Sequence, residues 1–140
     1  MTTSEHAGGR AGRTEVRAPD LPEPMSHYTD AVIHGDLVFV SGCLATDTEG
    51  NLVGGDDTAA QTRQVLGNLG KALQAAGAGF SDVLKVTLFL TDIADRARIN
   101  PVRQEFFGAA RPASTLVEVS RLAVPGAKVE IEAVACLPRR

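Results

Sequence analysis

The chain of 140 residues has no Trp, one Tyr and five Phe, so few large rings are available to fill a core. The interior must therefore rest on Val, Leu, Ile and Ala. Cysteine is scarce too. Cys43 and Cys136 lie far apart and have no zinc-like spacing with His6, His27 and His34. Two reduced thiols are expected, and nothing in the pattern demands a disulfide. No run approaches the ~20 apolar residues that cross a bilayer. The N-terminus lacks the apolar stretch of a signal peptide, so a cytoplasmic location without membrane contact is expected. Neither charge sign dominates: 14 basic and 17 acidic residues give a formal net charge of −3 at pH 7, which argues against a nucleic-acid partner. No P-loop, GxGxxG, His-Glu-x-x-His or nucleophile elbow occurs. Gly77-Ala78-Gly79 follows a predicted helix and reads as its stop. Gly54-Gly55-Asp56-Asp57 precedes a helix but lacks the Lys and Ser/Thr of a phosphate cradle.

What remains suits one domain. Residues 1–25 are rich in Gly, Thr, Arg, Glu and Pro, and read as a flexible arm before a single domain at 26–140. Tyr28 to Ile33 and Leu37 to Ser41 read as a hairpin closed by His34-Gly35-Asp36. Leu52 and Val53 add a short strand or pin a loop. The clearest helix runs from Thr58 to Ala76, with Val65, Leu66, Leu69, Leu73 and Ala76 on one stripe. Its cap is either Asp56 or Asp57, or a Thr58/Gln61 capping box. Gly67 and Gly70 inside it suggest close approach of a neighbouring backbone. Val83 to Leu90 reads as a covered strand. A second helical stretch, from Ala94 to Phe107, contains Pro101; a break at Asn100 and a fresh helix start at Pro101 are expected. Ser114 to Val119 and Val129 to Leu137 are the last strands. In the final one the odd positions are all apolar and should face the helices. The expected fold is α+β: a mixed sheet with two helices on one face. Its other face is partly apolar, which gives a motive for an oligomer.

Glu130 and Glu132 share a face of that strand. The pattern fits a solvated or salt-bridged face. It equally fits a carboxylate poised for proton transfer, its pKa raised by partial burial or by its neighbour.

Five stretches, in order, resemble the RidA family, also called the YjgF/UK114 or L-PSP family. They are Leu37-Val38-Phe39-Val40-Ser41-Gly42, the run from Gln61 to Leu69, Val83 to Asp92, Pro112 to Val119, and Val129-Glu130-Ile131-Glu132-Ala133. The resemblance implies a chorismate-mutase-like fold, a homotrimer with ligand clefts between subunits, and hydrolysis of reactive enamines or imines without metal or organic cofactor. It assigns proton handling and water positioning to Glu130. It places Tyr28, Ser41, Gly42 and Asn100 at the cleft. One departure stands out. Where archetypal members read Pro-Ala-Arg-Ser, this chain reads Pro112-Ala113-Ser114-Thr115, followed by Leu116. The missing arginine is the family's bidentate clamp on the substrate carboxylate, and a serine carries no charge. Ser114, Thr115 and Leu116 are then expected to line the cleft, with Arg111 a candidate replacement cation. The expected activity is a deaminase-like hydrolysis on a non-archetypal substrate. The alternatives are a non-catalytic trimer that binds a small metabolite and, third, an endoribonuclease.

Overall fold

The long helix organises the fold. In a computed structural model describing residues 3–4 and 12–138, α1 spans Thr58–Ala76, as the apolar stripe predicts. Val65, Leu66, Leu69 and Leu73 are fully buried. Asp57 is the N-cap, its carboxylate accepting from the Ala60 amide at 3.2 Å. Gly77 ends the helix in the left-handed region, φ 93°. The alternative capping box is not formed. Thr58 donates instead to Asp95, and the buried Gln61 amide donates to the carbonyls of Gly55 (2.7 Å) and Gly126 (3.0 Å). Gln61 also accepts from the Lys128 amide at 2.8 Å. The two helix glycines differ from expectation. Gly70 makes room for the Phe80 ring rather than a backbone, and a Cβ at Gly67 would meet nothing within 4 Å.

The strands β1 (Thr3–Ser4), β2 (Arg13–Val16), β3 (Ala31–His34), β4 (Leu37–Cys43), β5 (Val83–Leu90), β6 (Ala113–Glu118) and β7 (Val129–Cys136) form one sheet. Their order is β1-β2-β3-β4-β7-β5-β6. Only β5 and β6 run parallel. Such a pair needs a crossover, and α2 (Arg96–Phe107) supplies it. Both helices pack together on one face. There Val129, Ile131, Ala133 and Ala135 of β7 are buried beneath them, as the odd-position pattern requires.

Two expectations need correction. First, the arm is not free throughout: β2 pairs with β3, and Val16 and Ala18 are buried. The prolines at 19, 22 and 24 all follow β2, so Arg13–Val16 keeps its backbone donors for the ladder while Val16 and Ala18 reach the core. The expected arm at 1–2 and 5–11 lies outside the described residues. Second, α2 is continuous through Pro101, entered by a 3-10 turn at Ile93–Asp95 whose N-cap is Asp92. The proline sits on the exposed side, where the missing N–H costs one helical bond, while buried Ile99 and Val102 anchor the turns around it. Of the two alternatives for Leu52–Val53 the loop pin holds, through an isolated bridge from Thr46 to Leu52 and a backbone bond from the Val53 amide to the Ala45 carbonyl. The two thiols are free: Cys136 pairs with Leu37 and Cys43 with Ile131, at opposite ends of the β4–β7 ladder.

Candidate active site

The Ser41-Gly42 pair is a bulge. Between Val40 and Cys43 strand β4 advances three residues while β7 advances two, from Ala133 to Ile131. Both Val40 and Cys43 are therefore buried, and the two residues between them are half-buried at the rim of a cleft. Bulges of this kind re-aim a strand beside a site. Here the bulge brings the Gly42 backbone against the Glu130 side chain. A Cβ at Gly42 would sit 1.9 Å from Glu130 Oε2, so only glycine leaves the carboxylate where it is.

Glu130 is half-buried. Burial pushes its carboxyl above the ordinary range, and the Glu132 carboxylate adds to the push. Of the paired acids, Glu130 is the perturbed one, while Glu132 is exposed. Cys43 lies beside them, buried. Its thiol is pushed up to about 12 by burial and by the Asp30 and Glu130 carboxylates, which keeps it protonated and unreactive.

The cleft along this bulge has a volume of about 460 Å³ and includes Tyr28, Asp30, Ser41, Gly42, Cys43 and Asn68 in its lining. Tyr28 is exposed, its hydroxyl accepting from the Met25 amide at 3.3 Å. Ser41 Oγ donates to the Thr29 carbonyl at 2.6 Å, so it holds the wall and its proton is committed. Two wall residues escape the sequence reading. Asn68 donates to the Leu44 and Thr46 carbonyls at 2.9 and 2.8 Å and ties the loop after β4 to α1. Asp30 is buried, accepting from Arg17 and the Ala18 amide. Asn68 left one signal, a polar residue inside the apolar stripe of α1. Asp30 left none.

The other expected site residues gather elsewhere. Asn100, Arg103, Gln104, Phe107, Arg111 and Pro112 line a second cleft of about 290 Å³ between α2 and the start of β6. Asn100, expected ahead of the second helix, lies within it. Ser114 is exposed and accepts from Arg103 Nη2 at 3.1 Å. Its register partners are Val86 and, beyond that, Ala133, both on the helix-bearing face. Glu130 pairs with Phe89, and Phe89 with Val117, on the opposite face. A single chain thus splits the expected residues between two places. Thr115 faces the open side and accepts from Lys85 Nζ at 2.9 Å. Leu116, expected in a cleft wall, instead packs against the core in the row of Leu88, because alternation turns it to the helix side. Among the described residues no three His, Cys, Asp or Glu side chains gather as metal ligands.

The Endoribonuclease L-PSP family model matches residues 18–137. A RutC family protein of Pyrococcus horikoshii is 44% identical over 117 residues, covering 83% of this chain and 91% of that protein. The chain belongs to the RidA family. Another member, the 2-iminobutanoate/2-iminopropanoate deaminase of Bos taurus, is 37% identical over 124 residues, covering 88% of this chain and 89% of its own. Among solved RidA-family structures, E. coli TdcF with bound serine superposes with a TM-score of 0.81 at 32% identity, covering 89% of this chain and 98% of that one.

Proposed function

We propose that the protein hydrolyses a reactive imine or enamine to a carbonyl compound and ammonia. The observation that carries this is the half-buried Glu130 carboxylate held against the backbone of Gly42, a residue that lines the cleft along the bulge. The reaction asks for little else. Water adds to the C=N carbon, its oxygen forming the new C–O bond while its proton passes to the carboxylate. The carboxylic acid so formed hands that proton to the nitrogen, giving a carbinolamine. Glu130 then takes the proton of the new hydroxyl and passes it to the amine nitrogen, the C=O forms as the C–N bond breaks, and ammonia leaves. A half-buried glutamate with a raised pKa is a stronger base toward water than an ordinary one and can still return the proton. The named activity of the bovine relative and the serine bound by TdcF support a small substrate bearing a carboxylate.

The complete site is inferred to form between copies of the chain, in a homotrimer. Leu37, Phe39 and Val117 are 39%, 47% and 38% exposed, a high value for apolar side chains on a sheet. Phe39 borders a hollow with Lys85, Thr87, Glu132 and Val134. Packing this face against a neighbour buries it, and we infer that the α2–β6 cleft of one copy then lies toward Glu130 of the next. No helix among the described residues is long and apolar enough to cross a membrane.

One observation favours a second reading, a trimer that only binds a metabolite: Ser114 stands where the family's clamp would be. The two readings part on kinetics. An imino acid generated in situ should release ammonia faster with the protein than in buffer. If the parent is inert and Ser114→Arg becomes active, the binding-only reading holds for the parent. RNA cleavage, the activity in the family description, finds little support in a chain of net charge −3 with one Tyr and no Trp.

A further inference from the structure

The cleft between α2 and β6 carries two guanidinium groups, Arg103 and Arg111, and no carboxylate lines it. Nearby acids are engaged elsewhere: Glu105 with Arg63, Asp95 with Thr58 and Arg98, and Glu118 with the Ile93 amide. Arg103 is half-buried, and its one hydrogen bond among the described residues goes to the neutral Ser114 hydroxyl. A partly desolvated cation with no counter-charge is costly, and burial accordingly lowers its pKa. An anion entering the cleft offsets that cost. Ser114 accepts from Arg103, so its own proton has no acceptor among the described residues and is left to donate. Four of the five guanidinium N–H groups likewise have no acceptor among the described residues.

We propose that Arg103, fastened by Ser114, is the substrate-carboxylate clamp of this chain. The charge absent from β6 is supplied from α2, one residue beyond buried Val102 and one turn beyond Asn100. Arg111, exposed on the same cleft, is the outer cation that guides the anion in. The substrate class is therefore a 2-imino acid or its enamine tautomer, with its carboxylate held at Arg103 and its C=N carbon presented to Glu130 of a neighbouring copy. The assignment rests on the deaminase reading for the reaction but not for the binding.

The probe is 2-oxobutanoate, titrated calorimetrically into the full-length protein, with butanone as its analogue lacking the carboxylate. The parent should bind 2-oxobutanoate and not butanone. Arg103→Ala should weaken binding about tenfold or more, the loss expected for charge-assisted hydrogen bonds. Arg103→Lys, which keeps charge and stem but not the fork, should fall between. In the imine assay both variants should raise KM more than they lower kcat. Unchanged oligomer mass and melting temperature exclude misfolding, and Arg103→Lys serves as the test if Arg103→Ala does not fold. Affinity within twofold of the parent in Arg103→Lys and Arg103→Ala overturns the clamp while leaving deamination standing. So does failure of the parent to bind 2-oxobutanoate. Arg103-dependent binding in a parent that releases no ammonia supports the clamp and removes the deaminase reading.

Discussion

At the scale of single residues the proposed site turns on one carboxylate and the glycine that admits it. Glu130 binds its proton more tightly in the folded protein than in the unfolded chain, because burial and Glu132 disfavour the charge. The native state therefore holds more protons than the unfolded state just above the ordinary glutamate pKa, and stability falls as pH rises through that window. Glu130→Gln removes this penalty. The variant is expected to melt at or above the parent temperature at pH 7, while its deamination rate drops by about 10²-fold or more. The parent's rate should climb with pH as Glu130 ionises, a climb absent from the variant. Gly42→Ala is the sharper test of geometry. The methyl displaces only the flexible end of Glu130, so folding should survive with a melting temperature near the parent's. Activity should nonetheless fall toward that of Glu130→Gln. The likeness to RidA favours Glu130 over Glu132, and in the structure Glu130 differs from Glu132 in being half-buried and held against Gly42. Nothing in the sequence pointed to Arg103, because its meaning depends on Ser114 lying across from it in space.

At the scale of elements, α1 is the most legible part of the chain, since its stripe is long, periodic and capped. Its limits, Thr58 and Ala76, follow from Asp57 and Gly77. The polar residues of its buried face were harder to read. Gln61 was legible as a possible capping partner, yet it is fully buried and satisfies three backbone groups of two loops. Gln61→Leu would orphan the Lys128 N–H and two carbonyls, and a cost of about 2–5 kcal/mol is expected from urea unfolding. Helix α2 departs from the sequence expectation because local rules weigh a proline heavily. Packing of Ile99 and Val102 outweighs one lost hydrogen bond on the solvent side. The Ser41-Gly42 bulge was invisible as such, although the phase shift between Val40 and Cys43 carries its trace.

At the scale of the whole molecule the open sheet face and the separation of the expected residues into two clefts both support the proposed trimer. The mixed sheet with both helices on one side was legible from element order and from the apolar odd positions of β7. The division of the site was not, because face and register decide it. Phe39→Glu should turn the proposed trimer, three times the 14.7 kDa chain mass, into monomers by light scattering. With Glu130 intact but no neighbour to complete the cleft, that monomer should lose deamination.

The most direct measurement is ammonia release from 2-iminobutanoate generated in situ, with parent and Glu130→Gln compared at equal trimer concentration. The account predicts clear acceleration over buffer by the parent and none by the variant. Equal rates for parent, variant and buffer would contradict it.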